Sequence, residues 1–288
     1  MLALWLLVTA ALGAPSVGQV TPASPHYALE EDYHLGRYRE GLASCEALLR
    51  EHPEDPNLAF MRFRFRFELG ESGFSAASDQ RERLAYYRDM LAQVEEGLRY
   101  NPGDPHLVFC RSLGLGRLAT TEGVMASLFS AAEIESDLLY TVNSGLQYRS
   151  IAGEEDVPSH PLLALGIFYR LVPDWWIVEV VAGVRGDLDK SLAYLQRADA
   201  AAPGQIQVLK ELGVTEVCMG QQRDDARRLA HGLETLRTVA TMPARIPTDR
   251  VDLTHVSLLL QDPSRACDYS RDGYQDRARA SLESPAPP

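Results

Sequence analysis

Lysine is almost missing from this chain: only Lys190 and Lys210 occur, and the remaining basic side chains are arginine. With so much alanine, that is the composition of a GC-rich genome, and no function is read into it. Positive charge is short as well, 28 Lys and Arg standing against 40 Asp and Glu, for a formal net charge of −12. A phosphate backbone is repelled by such a balance without a strong basic patch, so no nucleic-acid partner is expected. Local catalytic motifs are lacking too. His26, His34, His52, His106, His160, His231 and His255 form no HExxH pair, and none stands at metal-site spacing from a cysteine. No GxSxG elbow or phosphate loop is present. The chain is therefore read as non-enzymatic, with no catalytic residue, metal or cofactor expected.

Long apolar runs are scarce. The start, "MLALWLLVTAALGAPSVG", holds an apolar stretch from Leu2 to Leu12 that is too short to span a bilayer. Small residues and Pro15 follow, which fits the apolar region of a secretory signal over residues 1–18, although no Lys or Arg precedes it. Later, "PLLALGIFYRLVPDWWIVEVVAG" is broken by Arg170, Pro173, Asp174 and Glu179. The mature chain is thus expected to be periplasmic or secreted, with no transmembrane span. Cysteine is limited to Cys45, Cys110, Cys218 and Cys267, without a CxxC pair. Export permits disulfides, four cysteines allow three pairings, and no pair is favoured. None stands at the end of the signal, where a lipid-modified cysteine belongs.

Helical periodicity is what the sequence has in quantity. Apolar residues recur at three- and four-residue intervals, with turns marked by Pro, Gly and Asp. In "GDLDKSLAYLQRADAAAP", Gly186, Ser191, Leu195, Ala198 and Pro203 fit the second helix of a tetratricopeptide (TPR) unit. The same offsets recur as Gly36, Gly41, Cys45, Leu48 and Pro53, and again as Met90, Val94, Gly97 and Pro102. A fourth unit carries Leu212, Gly213 and Gly220, then slips by one residue before Ala226 and Ala230. Such helix pairs cannot bury their apolar faces alone and must stack on one another. Gly41, Ser191 and Ala226 are expected at close helix contacts, with Leu48, Leu195 and Ala198 in the shared core. The fold class is all-α, an α-solenoid of TPR-like helix pairs with a divergent helical insertion. The repeat domain is placed at 22–240, with the insertion at about 119–172. A partly disordered C-terminal extension, 241–288, carries a short helix at "GYQDRARASL". Which segment pairs with the 186–203 helix stays open, Pro161–Leu171 being the cleaner amphipathic choice.

The combination "HPLLALGIFYRLVP", "GDLDKSLAYLQRADAAAP" and "LKELGVTEVCMGQQRDDARRLAHGLETL" resembles the T component of tripartite ATP-independent periplasmic (TRAP) transporters. It is similar as well to the regulator-of-microtubule-dynamics helical-repeat proteins. The likeness covers roughly residues 25–240. It implies an all-helical, non-enzymatic envelope protein that binds other proteins, with a periplasmic solute-binding protein as partner, and a groove or pore for a small hydrophobic ligand. T components are typically lipoproteins, and this chain departs from that pattern.

Candidate binding residues follow from irregular patches. "FMRFRFRFELG" alternates Phe and Arg, yet its position suits a first repeat helix rather than a strand. On a helix Phe60, Phe63 and Phe67 share a core face and Arg62 and Arg66 a solvated one. The functional reading places Arg62, Arg64 or Arg66 in the concave groove, holding an acidic peptide or carboxylate. Trp175 is assigned to the core, and Trp176 beside it to a ligand cavity or partner surface. Tyr140, Tyr148 and Phe168 are further candidates around the insertion. "GLGRLA" at 114–119 has dinucleotide-loop spacing without a flanking strand, and reads as close helix packing. The functional expectation is an exported protein-interaction scaffold accessory to a TRAP-type transporter. The alternative is a carrier for a small hydrophobic ligand in a cavity formed by the insertion.

Overall fold

Several helix starts in this protein are set by aspartate. Asp55, Asp104, Asp187 and Asp225 each accept hydrogen bonds from two backbone N–H groups of the following turn, satisfying donors that a helix leaves orphaned. At Asp55 and Asp104 the next residue is proline, preset for the first helical position. Helix ends are equally uniform. The helices preceding Pro53, Pro102 and Pro203 all stop two residues before the proline, at Glu51, Tyr100 and Ala201.

The computed structural model describes residues 17–275, except 76, 146, 150, 152–154 and 158. In chain order the helices are α1 (Tyr27–His34), α2 (Tyr38–Glu51), α3 (Pro56–Gly73), α4 (Gln80–Tyr100), α5 (Pro105–Glu122) and α6 (Ala131–Asn143). After them come α7 (Ser159–Leu171), α8 (Trp176–Ala182), α9 (Leu188–Ala201), α10 (Ile206–Gln222), α11 (Ala226–Ala240) and α12 (Pro247–Gln261). Two small antiparallel hairpins complete it: β1 (Tyr148–Arg149) with β2 (Glu155–Val157), and β3 (Tyr269–Ser270) with β4 (Gly273–Tyr274). Consecutive helices pack on one another, except that α7 packs most extensively on α9, with α8 set aside in the connection. This is an all-α helical-repeat solenoid. Ser159–Leu171 is the partner of the 186–203 helix.

The repeat positions work as small-residue contacts in most units. A Cβ on Gly41 would stand 2.3 Å from the Phe65 ring, and one on Gly232 would stand 2.7 Å from the backbone of Val217. Ser191 is fully buried and donates its hydroxyl to the Gly166 carbonyl at 2.7 Å. Leu195 and Ala198 are buried as expected, whereas Leu48 is only half buried beside the buried Leu49. Ala226 corrects the expectation outright. It is exposed at the first turn of α11, and Gly213, Gly220 and Gly232 make the close α10–α11 contact instead. "GLGRLA" lies wholly within α5, with Gly114 against Leu91.

The chain beyond residue 240 carries more structure than its weak periodicity suggests. There α12 packs on α10 and α11 and also reaches α3, near the other end of the array. A tight turn, Pro263–Asp268, seats on α10, and a disulfide from Cys267 to Cys218 pins it there. Cys45 and Cys110 are buried free thiols, and burial pushes Cys45 up to about 12, so neither is a reactive thiolate. In "GYQDRARASL", Gly273 and Tyr274 form β4 rather than a helix, Gln275 follows it outside any helix, and residues 276–282 lie outside the described residues. The secretory-signal reading, residues 1–18, likewise lies outside them apart from Val17 and Gly18. Val17, within the span read as signal, is buried, and its N–H donates to Asp104 at 2.8 Å. Among the described residues no helix is long and apolar enough to cross a membrane.

Candidate functional site

The first helix of each pair, α3, α5, α7 and α10, faces inward, and together they line a cavity of about 240 Å³. Where the array is interrupted between α5 and α7, Ala131, Ile134 and Leu138 of α6 and Leu128 before it complete the wall. Most of the lining is apolar, including Phe60, Phe63, Phe67, Phe109 and Phe168. Charge is confined to particular side chains: Arg64, Glu68, Glu71, Arg117, Arg170, Lys210, Glu211 and Arg271.

All of these but Arg64 and Glu68 belong to a continuous buried network. Asp272 pairs with Arg83 and Arg117, each at 3.0 Å, and Arg117 with Glu71 at 2.7 Å. Arg271 bridges Glu71 at 2.8 Å and Asp252 at 3.1 Å. Lys210 then joins Asp252 at 2.6 Å to Glu211 at 3.0 Å, and Glu211 holds Arg170 at 2.6 Å. Arg170 also donates to the Tyr269 carbonyl at 2.7 Å, with a side chain only 1% exposed. Burial alone would raise the carboxyls of Glu211 and Asp252. Lys210 overrides it at both, aided by Arg170 at Glu211 and by Arg271 at Asp252, and the net shift is downward. His255 is lowered to about 4 by burial, Lys210 and Arg271.

Arg271 and Asp272 sit on the β3–β4 hairpin, so the network is what ties the C-terminal segment across the inner face. Gln275 adds a hydrogen bond to the Thr120 carbonyl at 3.1 Å and accepts from the Val124 N–H at 3.2 Å. The chain thereby occupies its own groove.

Glu68 stands apart from this pairing. It lines the cavity and also a smaller one of about 100 Å³ beside it, where α1, α12 and the start of α10 meet. Oε1 accepts from the Tyr33 hydroxyl at 3.1 Å, while Oε2 is buried and makes no hydrogen bond of normal geometry among the described residues, with the Thr248 hydroxyl a further donor beside the carboxylate. Burial pushes its pKa up to about 7 against the pull of Arg271, with Glu71 adding to the rise and the Tyr33 and Thr248 hydroxyls opposing it.

The sequence-derived candidates scatter. Arg64 and Phe168 reach the cavity; the Arg64 side chain is 7% exposed, paired with Glu30 and stacked over Tyr33 at 3.9 Å. The expected solvated arginine face is not found. Arg62 donates to the Gln93 carbonyl at 2.7 Å and pairs with Glu96 at 3.3 Å. Arg66 pairs with Asp89 and lies over the Tyr86 ring. Both are held in the α3–α4 contact, because α3 is enclosed by neighbours on nearly every side. Tyr148 is buried, its hydroxyl donating to Glu30, and Tyr140 is half exposed, donating to the Gly103 carbonyl at 2.7 Å. Trp175 packs against the core, while Trp176 is 65% exposed. With Val180, Val181 and Phe129 it forms an exposed apolar patch on α8 and the neighbouring turn, not a cavity wall.

Sequence reasoning missed the network. Its signal was a charge in the middle of an apolar helix: Arg117 in "LGLGRLA", Arg170 in "GIFYRLVP", and Lys210–Glu211 in "VLKELGV". Such residues are seldom fully buried unless paired.

No family model matches the chain, and no curated protein matches it in sequence. Among solved structures, human IFIT1 as a dimer with PPP-AAAA is similar in fold, with a TM-score of 0.50 and 16% identity. The match covers 80% of this chain and 44% of that one, so this chain spans less than half of its neighbour's length. At this identity the likeness supports the helical-repeat architecture.

Proposed function

We propose that this protein is a non-catalytic helical-repeat binding module that carries a small apolar molecule in its interior cavity. One observation carries the reading. The inner face, where a solenoid would receive an extended partner, is crossed by the chain's own Tyr269–Gln275, and behind it lies a cavity with a largely aromatic and aliphatic lining. An apolar enclosure with a few placed polar groups is the usual make-up of a small-molecule site. The acids and bases of the network are engaged with one another, which supports a binding role over a catalytic one. PPP-AAAA is not carried over from the IFIT1 structure. The formal charge here is −12, and the lining cations all lie in ion pairs. Native mass spectrometry of the full-length protein as released from cells tests the reading. It should show an added small-molecule mass that organic extraction removes and 1-octanol restores. A bare mass that takes up no 1-octanol rejects it.

A second reading, a protein-interaction scaffold, is favoured by the exposed patch of Phe129, Trp176, Val180 and Val181. Export, and an accessory role beside a TRAP-type transporter with a solute-binding protein as partner, rest on the sequence resemblance. In-cell crosslinking should then enrich one solute-binding protein, and Trp176→Glu should abolish that enrichment. Equal recovery with the variant rejects the patch as the docking surface.

A further inference from the structure

A cavity lined by buried arginines is the expected home of a fatty carboxylate, but the charges here point elsewhere. Resting on the cavity reading above, we propose that the site selects an uncharged, hydroxyl-headed apolar ligand, its hydroxyl donating to Glu68 Oε2, and disfavours the carboxylate of equal length.

Two independent observations support this. The first is the charge balance. Arg83, Arg117, Arg170, Lys210 and Arg271 face Glu71, Glu211, Asp252 and Asp272 within the network, which leaves one positive charge over. Glu68, within the field of Arg271, supplies the matching negative charge when ionised. Arg64, the other cation lining the cavity, pairs with Glu30. Every lining cation thus already has a carboxylate, and an incoming one would lose its water without gaining a cation of its own.

The second observation is the open acceptor. Glu68 Oε2 is buried on the wall that the two cavities share and makes no hydrogen bond of normal geometry among the described residues. The Thr248 hydroxyl is a further donor, beside Tyr33, that interacts with the carboxylate, which keeps acceptor capacity on its cavity side. A buried carboxylate with acceptor capacity left unfilled is costly, and a ligand O–H that fills it recovers part of that cost. A hydroxyl is also far cheaper to desolvate than an ion. Phe60, Phe63 and Phe67, on the same helix as Glu68, give the alkyl chain its contact surface.

The experiment is a calorimetric titration of the full-length protein with 1-octanol and with octanoate at pH 8, where Glu68 is ionised, repeated on Glu68→Gln. Wild type should bind 1-octanol at least about tenfold more tightly than octanoate. Glu68→Gln removes the negative charge at nearly constant shape, and should narrow that ratio or invert it. Tighter binding of octanoate by wild type, or a ratio unchanged in the variant, overturns the proposal. Uptake of neither compound by wild type overturns instead the cavity reading on which it rests. The wild-type ratio decides the matter by itself if the variant does not fold.

Discussion

At the scale of single residues, the account turns on where charge is buried and how it is matched. Glu68 is raised by burial above its usual range to about 7, so the folded state holds a proton that the unfolded chain releases near pH 4.5. Its contribution to stability is therefore full below pH 4.5 and lost as pH rises to 7. Above pH 7, Glu68→Gln should be more stable than wild type by roughly 1–3 kcal/mol, and the advantage should disappear by about pH 4.5. Denaturant melts of the two proteins across pH 4.5–8 check it. The difference is the informative quantity, because His255, lowered to about 4, has the opposite sign and is destabilising as pH falls below 6.5. Arg271→Ala is a harsher change, leaving Glu71 and Asp252 each without one of its cations. A loss of about 3–5 kcal/mol is expected by urea unfolding. The mid-helix charges are visible in the sequence, but their pairing is not. Periodicity marks which face of a helix is apolar, but Arg170 finds Glu211 on α10 and Lys210 finds Asp252 on α12, both distant in sequence. Trp176 and Arg64 show the same limit. The sequence marked both as unusual and could not say that one faces outward and the other inward.

At the scale of elements, the repeat was legible because it is local. Asp caps, the proline two residues past a helix end, and small residues at Gly41 and Ser191 are set by neighbours along the chain. The α3 segment was harder. Its alternating Phe and Arg gave a helix, as expected, but with arginines held against α4 and α1 instead of in solvent. The C-terminal turn was missed for a related reason. It packs against α10 through a cystine and against α3–α5 through Arg271, Asp272 and Gln275, none of which leaves a periodic trace. The Cys218–Cys267 link spans 49 residues, worth about 4 kcal/mol in the chain-entropy description of the unfolded state. Cys267→Ser should lower unfolding free energy by about 2–4 kcal/mol. It should also raise amide exchange first in Tyr269–Gln275, as followed by mass spectrometry. Uniform loss of protection across all helices would argue that the segment is no separate latch.

At the scale of the whole molecule, the solenoid is closed on itself. A helical-repeat array normally offers its inner face to a partner. Here α12 reaches back to α3, and the final hairpin crosses to α5, so the inner face becomes the wall of a chamber. Within the span read as an insertion, about 119–172, α7 pairs with α9 as a repeat helix does, and α6 contributes to that chamber where the stacking of first helices is interrupted. The most direct test is to fill it. Gly116 lies within α5 and lines the cavity, and a Cβ added there meets nothing within 4 Å. Replacing glycine inside a helix gains roughly 1 kcal/mol of helix propensity, so Gly116→Leu should fold with an unchanged or higher Tm. Titrating 1-octanol into wild type and Gly116→Leu should show binding in the first and at least about a tenfold loss in the second. Equal affinity in both, or no binding to wild type, would contradict the cavity as the seat of this protein's function.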